Sequence, residues 1–387
     1  MPPAAFRNVR AMVWPAAMVH SPSPAVGDRP QPPAGPRQAH RPLLCGYYGE
    51  HNLGDDALLT VLLDQLPSHL QPLVTAHDEA LVRSRFGVAT VERRSLAAVL
   101  RALHRCDALV LGGGSLLQDA TSFRSLLYYA LLILSARARG RPVLLWGQGL
   151  GPLRRRRSRA LVRLLLPLAS GCSWRDPASA QLASRLGGKG AVGSDPVWAF
   201  PAVPWHGRGG AIVLCWRPLP AFGPERWRPY LQALAQLVDR SDRPVLWLAF
   251  HGDQDRGLLE RLRREGLIPE ALARRSREQR PGDPAEALRS FQQSGLVVAM
   301  RLHALILAAL SGSPTSALSY DPKVQACATQ FGCSCRDLAD VPASAADLLT
   351  TWQDALDHPA ASGAIADMRQ ATAVHRQLLD QLHTLGA

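Results

Sequence analysis

From Arg41 onward, short apolar runs alternate with stretches whose apolar residues recur every three or four positions. Pro42–Gly46, Leu70–Thr75, Asp107–Leu111, Pro142–Trp146 and Cys172–Arg175 read as strands, and Gly193–Asp195 as a strand end. Between them, Gly54–Leu66, Leu96–Leu103, Ser122–Arg139, Arg157–Ala169 and Ala178–Leu186 read as helices. Around Ala199–Gly210 the composition shifts to Pro, Trp and Gly, which predicts a linker. The alternation then restarts. Strands are predicted at Ala211–Trp216, Val245–Phe250, Leu296–Ala299 and Thr315–Ser319. Helices are predicted at Pro224–Ser241, Gln254–Glu265, Pro284–Ser294, Leu302–Ser311 and Pro322–Phe331, and the remaining Ala343–Leu385 looks helical throughout. Strand then helix, repeated at this spacing, gives a parallel sheet covered on both faces. The expected fold class is α/β: two Rossmann-like doubly wound domains, at 41–200 and 211–340, joined by a linker at 201–210 and followed by helices at 341–387.

Composition narrows this picture. At 387 residues and 47% apolar, the chain is long enough for two cores. Its longest apolar run is Leu126–Leu134, far short of the roughly 20 residues that cross a bilayer. The first 40 residues hold nine prolines, four arginines and one acid, Asp28, and read as a disordered leader. Ala11–Val19 has the outline of a signal peptide, but Pro15 interrupts it. The formal charge is +13, and only Lys189 and Lys323 among the basic residues are lysines. Such a skew reads as a composition bias rather than a nucleic-acid surface, and the four consecutive arginines Arg154–Arg157 read as a solvated basic face. The seven cysteines are dispersed and odd in number, which suits a reducing compartment rather than a disulfide framework. Cys333-Ser-Cys335 alone is a weak zinc signal.

Ligands of doubly wound sheets sit beyond the carboxyl ends of the strands, so the segments just after each strand are where chemistry belongs. After the first strand comes GYYGEHNLGDDA, in which Gly49 and its neighbouring glycines permit close backbone approach, and Asn52 and Asp55 can cap the following helix. A plain capped turn is the competing reading. Gly112-Gly113-Gly114-Ser115 and Gly147-Gln148-Gly149-Leu150-Gly151 follow the next two buried strands and together line a crevice. Neither is a dinucleotide fingerprint or a P-loop. Arg175 is either paired with Asp176 or an anion ligand. In the second half, Arg217, then His251-Gly252-Asp253-Gln254-Asp255, then Met300-Arg301-Leu302-His303, then Tyr320-Asp321-Pro322-Lys323 occupy four post-strand positions. Arg, His and Lys from separate loops can converge on one anionic group, with His303 free to exchange a proton near neutral pH.

The ordered set GYYGEHNLGDDA, GGGSLLQD, GQGLGP, SWRD, SDPVW, MRLHALILAALSGSP and SYDPKV resembles the polysaccharide pyruvyl transferases, most closely the CsaB type. The likeness runs from about Leu44 to Phe331, and the MRLHA and YDPKV pair is its specific part. The first motif departs from the commoner GDEA form by carrying Asp56. The resemblance implies two Rossmann-like domains facing a cleft in a GT-B-like arrangement. It implies transfer of a pyruvyl group from phosphoenolpyruvate to a sugar of a cell-wall or surface polysaccharide, often N-acetylmannosamine in a glycan that retains S-layer proteins. It implies no obligatory metal or other cofactor, a cytoplasmic location peripheral to the inner membrane, and an acceptor that can be lipid-linked. Under it, His303 is the general acid/base, and Arg217, Arg301 and Lys323 are phosphoenolpyruvate ligands. Asp55 and Arg175 stand on the acceptor side, with Asp55 as a base for a sugar hydroxyl. Gly49, Asn52, Gly113, Gly114 and Gln148 line the cleft, and Asp253 or Asp255 has a lesser positioning role. A GT-B nucleotide-sugar glycosyltransferase is the alternative. It would need a ribose-binding acid where the segment after Pro314 offers Lys323. A polyanion-binding protein is the third reading, and it rests on the basic charge alone.

Overall fold

A computed structural model describes residues 40–120, 122–220, 222–340, 344–357 and 362–384; the proline-rich leader lies outside these residues. Thirteen strands form two parallel sheets among them. The first sheet comprises β1 (Pro42–Tyr48), β2 (Leu73–Ala76), β3 (Ala89–Glu92), β4 (Ala108–Gly114), β5 (Val143–Gln148), β6 (Gly171–Trp174) and β7 (Ala191–Val192). The second comprises β8 (Ile212–Cys215), β9 (Val245–Leu248), β10 (Ser276–Gln279), β11 (Leu296–Ala299), β12 (Thr315–Ser319) and β13 (Ser334–Asp337). The strand orders, 3-2-1-4-5-6-7 and 10-9-8-11-12-13, are both doubly wound, with switch points between β1 and β4 and between β8 and β11.

The central strands form because Val, Leu, Ile and Cys follow one another without polar interruption, so both faces can be covered. Leu43, Leu44, Leu109, Val110, Ile212, Val297 and Val298 are all fully buried. On the outer face of the first sheet, the helices Leu96–Leu103, Phe123–Arg137 and Arg156–Leu165 close one core. Its inner face shares a second core with the other half, in which Leu58 and Trp198 meet residues such as Leu305 and Phe331.

The observed elements differ from the expected ones at the sheet edges. β3, β10 and β13 fall outside the expected strands, because Glu92 in the first, Arg277 and Glu278 in the second and Arg336 in the third leave them no apolar run. The helix Glu79–Phe86 was likewise not predicted, since only Val82 of it is buried. The expected helix at Gln254–Glu265 is broken at Arg256 and Gly257, whose φ of 77° is left-handed. The C-terminal region is three helices rather than one continuous stretch, and they serve different halves. Ala345–Asp357 packs on Pro224–Ser241 of the second half. Ala373–Asp380 returns to β5 and β6 of the first, where His375 contacts Ser173 Oγ (2.8 Å) and the Ser194 carbonyl (2.7 Å). The linker is held along the second half by Val203 N–H to the Leu310 carbonyl, Trp205 Nε1–H to the Ser294 carbonyl and His206 N–H to the Gln292 carbonyl.

Candidate active site

The two halves meet where their strand ends face each other. Asn52 and His251 form an isolated antiparallel bridge. Leu53 N–H donates to the Phe250 carbonyl at 3.1 Å, and Gly252 N–H to the His51 carbonyl at 2.8 Å. The loop after β1 is thereby stitched to the loop after β9. His51 takes a left-handed φ of 54° to make the turn. Asn52 caps the helix Leu53–Gln65: its Oδ1 accepts Gly54 N–H at 3.1 Å, while its Nδ2 donates to Asp55 Oδ2 at 2.5 Å. This aims Asp55 into the cleft.

His303 arrives from the opposite wall, on the first turn of the helix Leu302–Leu310. Its ring lies directly on Gly54, where an added Cβ would come within 2.1 Å of Nδ1. The absence of a side chain at 54 is therefore what lets the imidazole reach the first half. Its Nε2 stands 3.5 Å from Asp195 Oδ2, at ion-pair range without a formed hydrogen bond. The two carboxylates near His303 are pushed apart. Burial raises Asp55 to about 6, although the His303 charge pulls it back. Burial also works against an ionised Asp195, but His303 and Arg175 outweigh it and hold that carboxyl well below its usual range. Two carboxyl groups in unlike environments around one imidazole are an arrangement suited to moving protons.

A cationic spot adjoins this triad. Arg175, 6% exposed, places Nη1 3.1 Å from Asp195 Oδ2 and donates from Nη2 to Ser115 Oγ at 3.0 Å. Lys323 Nζ donates to the same Ser115 oxygen at 2.9 Å. Burial and then the neighbouring Arg175 charge pull the Lys323 ammonium below its ordinary value. Asp195 and, at 3.7 Å, Asp176 share the charge of Arg175, and the Lys323 ammonium on the neutral Ser115 hydroxyl leaves positive charge beside it for an anion. Gly114, with φ of 72°, turns the chain so that Ser115 enters this spot. An added Cβ on Gly149 would strike Ser115 Oγ and the Arg175 guanidinium.

The second half carries further cations at its own strand ends. Arg301 Nε donates to Asp255 Oδ2 at 2.9 Å and its Nη2 meets both Asp255 Oδ1 and Gln254 Oε1. Asp255 also accepts His251 N–H at 2.7 Å. Arg217 lies over the Tyr320 ring, 5.2 Å from its centroid, and donates from Nη1 to Tyr320 Oη at 3.1 Å, while its buried Nε has no hydrogen-bond partner among the described residues.

Several sequence-predicted residues stand elsewhere than expected. Arg175, expected on the acceptor side, shares Ser115 with Lys323, expected to hold the donor, and also faces Asp176 at 3.7 Å. Gln148 is 1% exposed, and its Nε2 serves the carbonyls of Leu111, Gly113 and Trp146; it ties strand ends together rather than facing the cleft. Gly49, with φ of 70°, packs against the Asp78 backbone and not toward a ligand. Gly113, also left-handed, lies against Leu58. Asp253 is exposed to solvent, and its neighbour Asp255 is the buried acid that holds Arg301. Asp195 and Ser115 were not singled out, although both lie in quoted motifs. Asp195 caps the turn Pro196–Ala199 through Val197 N–H, and a Ser-Asp-Pro sequence announces such a cap without revealing what else the carboxylate touches.

Comparison with solved structures fits this geometry at the level of fold. Anabaena Alr3699/HepE in complex with UDP-glucose superposes with a TM-score of 0.56 at 14% identity, covering 89% of this chain and 99% of that one. The UDP-GlcNAc 2-epimerase of Methanocaldococcus jannaschii gives 0.60 at 10%, covering 89% and 99%. The glycotransferase of kitacinnamycin gives 0.56 at 12%, covering 91% and 100%. The chain thus has the two-domain GT-B class of fold, with the site in the cleft between two Rossmann-like units. No curated protein matches the sequence. The family model described as polysaccharide pyruvyl transferase matches residues 52–322, which takes in Asp55, Ser115, Arg175, Asp195, Arg217, Arg301 and His303. The chain belongs to the polysaccharide pyruvyl transferase family and is a transferase.

Proposed function

We propose that the protein transfers a pyruvyl group from phosphoenolpyruvate to two hydroxyls of one sugar in a cell-wall or surface glycan, forming a ketal and releasing phosphate. The acceptor is an N-acetylmannosamine-type sugar, lipid-linked in the form the enzyme meets. The observation that carries the reading is the convergence of Lys323 and Arg175 on Ser115, next to His303 between two unlike carboxylates.

Phosphoenolpyruvate brings a phosphate and a carboxylate on one enol carbon, and cationic groups suited to both stand together here. In the proposed reaction Lys323 and Arg175 bind the phosphate, and Arg217, with its buried unpartnered Nε, binds the carboxylate. Arg301, already neutralised by Asp255, shapes the pocket. His303, whose Nε2 stands 3.5 Å from Asp195, delivers a proton to the methylene carbon. Asp55 takes the proton of the attacking hydroxyl, and a new C–O bond forms. The second hydroxyl then attacks the same carbon, the C–OP bond breaks, and its proton leaves with the phosphate. Asp55 then passes its proton back to His303, so one hydroxyl proton replaces the one given to the new methyl group and the other leaves with phosphate. All seven cysteines are unpaired, in keeping with a cytoplasmic location.

The test is incubation with phosphoenolpyruvate and synthetic lipid-linked or free disaccharides, with a UDP-sugar donor as the control. Phosphate release together with a product heavier by pyruvate less water is expected. Sugar transfer from the UDP donor, with phosphoenolpyruvate inert, would overturn the reading.

A further inference from the structure

The outer face of the first half carries a surface that neither the fold nor the cleft explains. Along the helix Phe123–Arg137, the residues Leu126, Tyr129, Ala130 and Ile133 point into the core, so the helix is already anchored. Its opposite stripe presents Leu127, Leu131 and Leu134, which are 40%, 46% and 47% exposed, with exposed Arg124 before them and exposed Arg137 after. Next to it packs the helix Arg156–Leu165, which adds Leu164 at 72% exposure. Four outward leucines on two adjoining helices form a patch, not the scattered single residues of an ordinary surface.

Along the segment that bears the patch the charge has one sign, although Arg141 at its β5 end pairs with Asp107 at 3.4 Å. From Ala120 to Ser170 the chain has ten arginines and no Asp, Glu, Lys or His. Arg154–Arg157, Arg159 and Arg163 are exposed on or just before the second helix. The nearest acid in sequence, Asp119, is buried and already satisfied: its two oxygens accept the N–H groups of Arg154 and Arg155, each at 2.8 Å. That bond pins the backbone of the arginine run and leaves its guanidinium groups outside.

We propose that this face docks on an anionic lipid bilayer. Leucines flanked by arginines suit such a surface, the apolar side chains entering the acyl boundary and the guanidinium groups meeting lipid phosphates. A second copy of the chain would oppose arginines to arginines, and a nucleic acid would leave the leucines in water. The position also has a consequence. The arginine run follows directly on the loop after β5, which is bonded to the loop after β4 through Gly149 N–H to the Gly114 carbonyl and Gly151 N–H to the Leu117 carbonyl. Ser115 lies in that second loop, so the docking face adjoins the mouth of the cleft, and an amphiphilic substrate held in the same bilayer would enter from that side. The inference stands on the face itself and does not depend on the reaction assigned to the cleft.

The test is co-sedimentation of the full chain with phosphatidylglycerol-containing vesicles and with pure phosphatidylcholine vesicles. Binding to the first and not the second is expected, with release at about 0.5 M salt, where screening lengths shrink to a few ångström. Replacing Arg154–Arg157 with Gln should weaken partitioning by about 100-fold or more. Leu127→Ser with Leu131→Ser and Leu134→Ser should weaken it as well; because these side chains are exposed, thermal unfolding should be unchanged. Equal binding to both vesicle types, no binding, or full binding by both variants would overturn the proposal. So would a concentration-dependent dimer, seen by sedimentation velocity, that the leucine substitutions abolish. No readout requires catalysis, so failure of the pyruvyl-transfer reading leaves this result interpretable.

Discussion

The two halves share a strand order and divide the chemistry. In the first, the loop after β1 turns at once into a helix, and that helix offers the cleft a carboxylate, Asp55, and a bare backbone at Gly54. In the second, β8 is followed by Arg217 and no helix until Pro224, and the helix after β11 offers His303. A repeated architecture has thus been fitted with complementary parts: a carboxylate and space on one wall, an imidazole and cations on the other. Arg175 is the exception that joins them, a first-half arginine bonded through Ser115 to the second-half Lys323. Neither half alone holds this set of side chains. The geometry exists only across the seam.

The largest effect is expected for His303→Ala, which should cut turnover by about 10²–10⁴-fold while leaving phosphoenolpyruvate binding near normal. Single-turnover phosphate release reads the first quantity, and wild-type turnover would sink the division of labour. Asp195→Asn comes next. It removes the nearer of the two carboxylates on the buried Arg175, so stability measured by urea unfolding should fall by about 3 kcal/mol. Because the folded Asp195 titrates below its ordinary 3.8, this contribution is present above that pH and is lost as pH falls further. A variant as stable as wild type at pH 7 would show that the pair is not formed.

These two residues also show what sequence could and could not reveal. His303 stands at a strand-to-helix junction, where chemistry is expected from topology alone. Asp195 lies before a Pro-Val-Trp turn and looks like a cap, which it is; its second role depends on Arg175 and His303 being folded against it, and no spacing rule encodes that. The same division runs through the fold. β1, β4, β5, β8 and β11 were legible because burial on both faces demands unbroken apolar runs. β3, β10 and β13 were not, because an edge strand with one wet face carries Glu92, Glu278 or Arg336 as readily as a loop does. Ser115, a small hydroxyl after three glycines, carried no signal beyond its motif.

Gly54→Ala sharpens the comparison without touching a polar group. The new methyl would occupy the place of the His303 ring, and displacing a proton donor by about 1 Å costs roughly 100-fold in rate. Unchanged kcat in a folded Gly54→Ala protein would mean that the imidazole does not work against this helix. Smallest is the effect of Asp55 on stability. Its folded value, about 6, lies above the ordinary 3.8, so the ionised carboxylate costs stability as pH rises through 6. Asp55→Asn should therefore stabilise the protein at pH 8 by on the order of 1 kcal/mol, a figure discounted for its partial exposure, with the gain fading between pH 6 and 4. The same change should remove activity and, with it, the acidic limb of the rate profile near pH 6. A variant destabilised at pH 8 would show that Asp55 is held by its neighbours rather than strained by burial.

The claim on which the account turns is that Lys323, from the second half, and Arg175, from the first, hold one phosphate together. Calorimetric titration of phosphoenolpyruvate into the wild type, Lys323→Ala, Arg175→Ala and the double variant measures this directly. Each single change should weaken binding by at least about 10-fold, and the double variant should lose much less than the product of the two, since both groups act on one anion. Unaltered affinity in Lys323→Ala, or losses that simply multiply, would contradict a shared site across the seam.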